Sequence, residues 1–251
     1  MKIFSNTFTA GALSSLIACV MIAGSTGIAS ANEKPSVYDE LARLNPGTTS
    51  AQMQKSVTAF AKKNKRPVSV VARETLAEAK EYAGESESQL PATAAKNPFA
   101  GTKVKVPKAA IGDIFWWNSR YNHVGLYMAK NRVVHIPNKD SKVVRAYVSN
   151  LASQKAVKVM FVNDKNRSEN RISKKKRKIA SDFAEKQVGK KYNTNLVGNK
   201  VVKSKTYNCS QLVWAAWKHA AKVDLDNGLT MGVYPNDIVE DWRTHVYKKL
   251  T

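Results

Sequence analysis

The chain has 251 residues, and 41 basic against 19 acidic side chains give it a formal net charge of +22. This length is enough for one domain with a full core plus an extension. The charge points to anionic partners and leaves the fold open, while two cysteines are too few for a disulfide-stapled scaffold.

Residues 1–31 have the pattern of an export signal. Lys2 supplies the positive start, an apolar run spans residues 10–28, and Ala29 to Ala31 form an A-x-A cleavage site. We therefore expect cleavage after Ala31 and a secreted or extracytoplasmic, envelope-associated protein. Lipoprotein processing at Cys19 is a minor alternative.

Such cleavage leaves 220 residues with a charge of +21, because Lys2 is the only charged residue in the leader. One cysteine, Cys209, remains, so its thiol cannot form an intramolecular disulfide and is either inert or a reagent. Outside the membrane, the available polyanions are wall polymers, lipid headgroups, lipopolysaccharide and extracellular DNA. We expect a monomer that binds such polymers more weakly as salt rises, with no specific nucleic-acid partner.

Residues 32–108 are predicted to form a helical extension and a linker. Apolar residues at three- and four-residue spacing predict one helix after Ser36, a second capped by Ser50 and a third opened by Pro67. Residues 84–108 are rich in Ala, Ser, Pro and Lys, which is typical of a connector. The three helices contain no His and no Cys, so we assign them a role as a lid or packing element and no chemistry.

Residues 109–251 are predicted to form the catalytic domain, which begins with strands. The candidate strands are Ile111–Trp117, His123–Met128, Arg132–Ile136, Lys142–Val148 and Ala156–Val162. The second and third of these form a hairpin around Lys130 and Asn131. The aromatic pair Trp116 and Trp117 fits either a core strand or a lipid pocket.

A basic run precedes the first helix of this domain. It consists of Lys174, Lys175, Lys176, Arg177 and Lys178. Such a run is either a solvated helix face or a surface that binds anionic envelope polymers.

Cys209 stands where a second helix, Ser210–Ala221, is predicted to begin. Unpaired N–H groups at a helix start lower the pKa of a thiol and can bind the oxyanion of a tetrahedral intermediate. An inert buried cysteine fits the same position when this residue is considered alone.

Two histidines lie twelve residues apart, His123 at the start of one hairpin strand and His135 near the end of the next. The hairpin brings them together at its open end, where one could act as a base and the other could orient it. Two structural histidines remain an alternative, as does a metal site of His123, His135 and Cys209. No paired ligand spacing supports the metal, so we predict neither a metal nor a cofactor.

These segments resemble a known superfamily. Gly112-Asp113-Ile114-Phe115, followed by His123 to Tyr127 and His135, is similar to the histidine half of the NlpC-type cysteine hydrolases, which are papain-like. Gly189 to Tyr192 and Asn208 to Val213 are similar to the cysteine half. Here the histidine half comes first, as in the circularly permuted branch with its YiiX-like and YycO-like secreted proteins. The resemblance implies an α+β fold in which a small antiparallel sheet packs on the cysteine helix.

The resemblance also implies roles for individual residues. Cys209 would be the nucleophile, His123 the base and His135 the third, orienting member. Tyr192 would line the site. Gln211 stands where wall peptidases of the superfamily have glycine, and we place it beside the substrate, where it limits what can bind.

We therefore expect an exported cysteine hydrolase that cleaves amide bonds through an acyl-enzyme, on cell-wall peptides. One alternative is a lipid-directed acyltransferase or amidase of the same fold, which would act on a lipid-like acyl substrate. The other is a non-catalytic basic protein that binds the envelope.

Overall fold

The computed structural model describes residues 34–83, 103–119, 122–163, 170–226 and 228–251. Residues 35–251 form one compact unit. The predicted leader and most of the predicted connector lie outside the described residues. Of the helices in the described ranges, none is long and apolar enough to cross a bilayer.

Three helices form the N-terminal extension, as predicted: α1 (Val37–Arg43), α2 (Ser50–Lys63) and α3 (Val68–Ala83). Capping boxes start the first two, with Ser36 and Thr49 as N-caps. Thr49, one residue before the predicted cap Ser50, accepts a hydrogen bond from the backbone of Gln52. Each such cap contributes about 1 kcal/mol to helix stability.

The extension packs on the rest of the chain through its apolar stripe. Leu41, Val57 and Val71 are fully buried in its core, and Leu196 and Val197 from the segment before the cysteine helix pack in the same cluster. Burying one such aliphatic side chain contributes roughly 1.5–3 kcal/mol. The extension is therefore held against the segment that leads into the candidate nucleophile.

Six antiparallel strands form one sheet in the order β4-β3-β2-β1-β5-β6. The strands are β1 (Ile114–Trp117), β2 (His123–Ala129), β3 (Arg132–His135), β4 (Val144–Tyr147), β5 (Val157–Val162) and β6 (Thr244–Leu250). Strand β6 was not predicted, so the sheet is larger than expected. Its exposed Lys248 and Lys249 suit an edge strand, because lysines on an edge discourage pairing with another chain. The same lysines interrupt the alternation of apolar and polar residues by which a strand is predicted from sequence.

The sheet has two differently covered faces, because successive side chains of a strand point to opposite sides. On one face, Val124 and Leu126 pack in the main core with helices α4 (Lys174–Glu185) and α5 (Cys209–Ala221). On the other, Phe115, Tyr127 and Val133 form a smaller cluster. A short helix, α6 (Pro235–Glu240), follows α5 and was not predicted.

The basic run opens α4 but is not uniform. Lys174, Lys175 and Lys176 are exposed, whereas Arg177 donates to the backbone carbonyls of Ile172 and Ile111. The remaining member, Lys178, pairs with Asp182 one turn later. Lys178 is nevertheless exposed, so four lysines of the run are accessible to a partner, and three of them lie together at the start of the helix.

Candidate active site

Cys209 is the first residue of α5, which confirms the predicted helix start to within one residue. Asn208 is the N-cap, and its side chain accepts a hydrogen bond of 2.8 Å from the backbone N–H of Gln211. Backbone N–H groups of Val124, Ser210 and Cys209 itself are directed at Sγ. The sulfur therefore lies between the start of a helix and strand β2.

The expectation that Cys209 is unusually acidic is wrong for the resting structure. Burial raises the pKa of its thiol and outweighs the backbone N–H groups and the Tyr82 hydroxyl, which lower it. The residue is only 3 % exposed, and a thiolate loses most of its hydration in such a place. The resting cysteine is a neutral thiol.

The two histidines meet as predicted. His123 Nε2 lies 3.0 Å from His135 Nδ1, and both rings are buried. Burial lowers the pKa of His123 well below its usual value, with the neighbouring His135 as a second cause, and lowers the pKa of His135 to about 4. Both imidazoles are therefore neutral at physiological pH, and one donates its ring proton to the other.

Aromatic rings and a glycine fix this histidine pair. Trp117 stacks on His123 with ring centroids 4.3 Å apart, which gives this residue a position beside the site, while Trp116 is buried in the core. A Cβ added to Gly125 would lie 2.5 Å from the Phe115 ring and 2.9 Å from His135 Cβ. Only glycine leaves room here for the second histidine.

The thiol and the histidines are connected through the backbone of β2. Val124, whose N–H points at Sγ, directly follows His123 in β2. Within the part of the chain that the structure describes, no hydrogen bond joins Sγ to either histidine. The side-chain partner of the sulfur is Tyr82, whose hydroxyl lies 3.8 Å away.

Tyr82 comes from α3 of the extension, to which sequence reasoning had assigned no chemistry. Besides the thiol, its hydroxyl contacts Tyr192, and its ring lies 4.8 Å from that of Tyr234. The sequence signal for it is weak: Tyr82 continues the buried stripe of Thr75 and Ala79 toward the end of α3. Such a stripe indicates burial but does not identify the surface it packs on.

Tyr192 lies where the resemblance implied. Its pKa is raised by burial and, next, by the proximity of Cys209. A tyrosine from the extension and one from the domain thus meet at the sulfur.

Gln211 does not face a substrate. Its side chain is completely buried, with Oε1 accepting from Asn193 Nδ2 at 2.8 Å and Nε2 donating to the carbonyl of Val201 at 3.2 Å. The predicted contact with substrate is replaced by a structural role, because the third residue of α5 points into the segment that precedes the helix.

No group of three or more His, Cys, Asp and Glu residues suited to a metal ion occurs among the described residues. The two histidines and the cysteine have a different arrangement: a hydrogen-bonded imidazole pair formed by β2 and β3, and a thiol at a helix start that the backbone N–H of the residue after His123 approaches. Together with an antiparallel sheet on that helix, this arrangement defines the papain-like class of cysteine hydrolases, with the histidine strand ahead of the cysteine helix.

Comparison with known proteins gives the family. The model of the family Peptidase_C92, described as permuted papain-like amidase enzyme, YaeF/YiiX, matches residues 101–241. The chain belongs to this family, and the predicted fold class is confirmed.

Two individual proteins are similar to the chain. YycO of Bacillus subtilis (strain 168) is 29% identical over 208 residues, which cover 80% of this chain and 81% of YycO. A crystal structure of yiiX from Escherichia coli O157:H7, described as a metalloprotein, aligns at 15% identity with a TM-score of 0.40. The alignment covers 57% of this chain and 98% of the yiiX chain.

Proposed function

We propose that the protein is an exported cysteine hydrolase that cleaves amide bonds in cell-wall peptides, with Cys209, His123 and His135 as its catalytic residues. Membership in a family of permuted papain-like amidases supports amide hydrolysis in general. The observation that carries the residue assignment is the His123–His135 hydrogen bond of 3.0 Å. His123 directly precedes Val124, whose backbone N–H points at Sγ.

The proton pathway follows from the geometry of the pair. If His123 Nε2–H donates to His135 Nδ1, the other nitrogen of His123, Nδ1, is free to accept the thiol proton. The low pKa of His135 keeps that ring a neutral acceptor, which stabilises the imidazolium formed on His123. In the resting structure the Tyr82 hydroxyl contacts the sulfur, and the proposed proton transfer requires His123 to reach Sγ in the complex with substrate.

The reaction then has two halves. The thiolate attacks the amide carbon, the C–N bond breaks, and the amine leaves with the proton taken up by His123. Water, deprotonated by His123, attacks the thioester and releases the acid and the free thiol. N–H groups at the start of α5 are the candidate donors to the oxyanion in both halves.

The substrate class is tested by mass spectrometry of muropeptides and of lipid extracts, each incubated with wild type or Cys209→Ala. A product that requires Cys209 in the muropeptide pool supports the proposal. A Cys209-dependent product in the lipid pool alone would instead indicate the lipid-directed alternative. If neither pool yields one, the non-catalytic binding role is favoured.

We also propose that the export signal delivers the protein to the envelope and that Lys174, Lys175 and Lys176 bind anionic polymers there. Their exposure at the start of α4 supports this. Replacing all three with Gln should reduce retention on isolated envelopes at low salt, because each lysine contributes to a screened attraction. The matched control replaces Lys55, Lys62 and Lys63 of α2 with Gln, and equal retention of the two variants would contradict the proposed surface.

A further inference from the structure

A cavity of about 380 Å³ lies beside the candidate nucleophile. Its walls are residues 78, 81 and 82 of α3, Asn122 ahead of β2, residues 234–237 and residue 240 of α6. Helix α3 precedes the family match, which begins at residue 101. One wall of the cavity is therefore a contribution of this chain's own extension.

The cavity adjoins both parts of the candidate active site. Tyr82 lines it and contacts Cys209 Sγ. Asn122 lines it on the other side, directly before His123, and donates to Asn236 at 2.9 Å. A ligand in the cavity is thus separated from the sulfur by a single side chain.

The lining is acidic in a chain that is strongly basic. Glu78, Glu81, Asp237 and Glu240 contribute four carboxyl groups, and none of the nine lining residues that the structure describes is basic. The Oε2 atom of Glu78 is buried and has no hydrogen-bond partner among the described residues. A buried acceptor without a partner is costly, and an incoming donor would satisfy it.

Burial sets the ionisation of the two inner carboxyls. Burial, followed by the charge of Asp237, raises the pKa of Glu78 to about 8. The pKa of Asp237 is raised to about 7, again mainly by burial. Lys200 lowers both pKa values but does not offset burial, and a further positive charge near the two carboxyls would favour their ionised forms.

We infer that this cavity binds a protonated amine of the substrate, so that the enzyme selects amides that carry a free ammonium group near the scissile bond. The carboxyl groups supply charge, and the rings of Tyr82 and Tyr234 supply faces that attract a cation. The assignment rests on the proposed function, since it takes the ligand to be the compound that Cys209 attacks. It distinguishes amine-bearing peptides from neutral acyl chains.

The test compares two small thiol reagents of opposite charge, 2-aminoethyl and 2-sulfonatoethyl methanethiosulfonate. Each forms a mixed disulfide with the thiolate of Cys209 and releases methanesulfinate. The rate of the cationic reagent is divided by the rate of the anionic one, and this ratio is divided by the same ratio for free cysteine. The result measures the local electrostatic potential at the sulfur. We expect the cationic reagent to be favoured about tenfold at low salt, although the net charge of the whole chain favours the anionic one.

The variant Glu78→Gln/Glu81→Gln should remove most of this preference. The matched control is Glu74→Gln/Glu185→Gln, which makes the same two substitutions at positions outside the cavity, one of them a turn away on α3, and should keep the preference. A ratio that favours the anionic reagent in wild type, or that changes equally in both variants, would overturn the inference while leaving the nucleophile intact. If Cys209 reacts with neither reagent, the inference and the proposed function both fail.

Discussion

The domain matched by the family and the extension that precedes it contribute different things to one site. The domain supplies the groups that we propose as catalytic: a thiol at the start of α5 and two histidines joined at 3.0 Å. The extension supplies Tyr82 against the sulfur and two carboxyl groups of the neighbouring cavity. The proposed chemistry is thus built on the sheet and α5, while the proposed selectivity depends on one added helix.

The largest effect is expected from the domain. His123→Ala removes the proposed general base and should reduce turnover by about 10²–10⁴-fold. The exposed histidine of α5, His219, is the control, and His219→Ala should retain wild-type turnover. Equal rates for the two variants would exclude His123 as the base.

The histidine pair should also make stability dependent on pH. Folding lowers the pKa of His135 to about 4, so between pH 6.5 and 4 the unfolded chain binds a proton that the folded chain does not. Wild type should lose up to about 3 kcal/mol of unfolding free energy over this window relative to His135→Asn. Denaturant unfolding at several pH values measures this loss. The control His219→Asn should show the same dependence of unfolding free energy on pH as wild type. Parallel curves for wild type and His135→Asn would contradict a buried neutral pair.

Gly125→Ala tests the packing that holds the pair. The added methyl group would lie within 2.5 Å of Phe115 and 2.9 Å of His135 Cβ, so we expect a loss of about 2 kcal/mol in unfolding free energy. Gly47→Ala places the same methyl group at a turn with no atom within 4 Å, and its cost arises only from the positive φ. If Gly125→Ala is as stable as wild type, the close approach of Phe115 from β1 and His135 from β3 to Gly125 is incorrect.

The smallest expected effect comes from the extension. Tyr82→Phe keeps the ring beside Tyr234 but removes the hydroxyl. In wild type this hydroxyl lowers the pKa of the Cys209 thiol, so its loss should raise that pKa. Alkylation of Cys209 by iodoacetamide should become a few-fold slower at neutral pH, with its pH profile moved to higher pH. Tyr38→Phe in α1 serves as the control. An unchanged profile in Tyr82→Phe would show that the hydroxyl does not act on the thiol.

The same division explains what could be predicted from the sequence. The histidine pair follows from a hairpin, in which neighbouring strands bring residues twelve positions apart together, and the cysteine helix follows from local periodicity. Tyr82 could not be predicted, because its contact with Cys209 joins residues 127 positions apart and depends on how the extension docks.

Two further predictions failed for related reasons. Gln211 was placed beside the substrate from its sequence neighbourhood, but its amide is used by Asn193 and Val201. The acidity of Cys209 was inferred from the helix start, and the larger effect of burial on its pKa became visible only in three dimensions. Both errors arise from burial, which the sequence around a single residue does not determine.

The catalytic roles of Cys209 and His123 are tested by hydrolysis of purified muropeptides, followed by mass spectrometry with wild type, Cys209→Ala, His123→Ala and His219→Ala. Wild type and His219→Ala should each add one water across an amide bond, and both other variants should lose this product. Formation of the same product by Cys209→Ala would contradict the assignment of this thiol as the nucleophile.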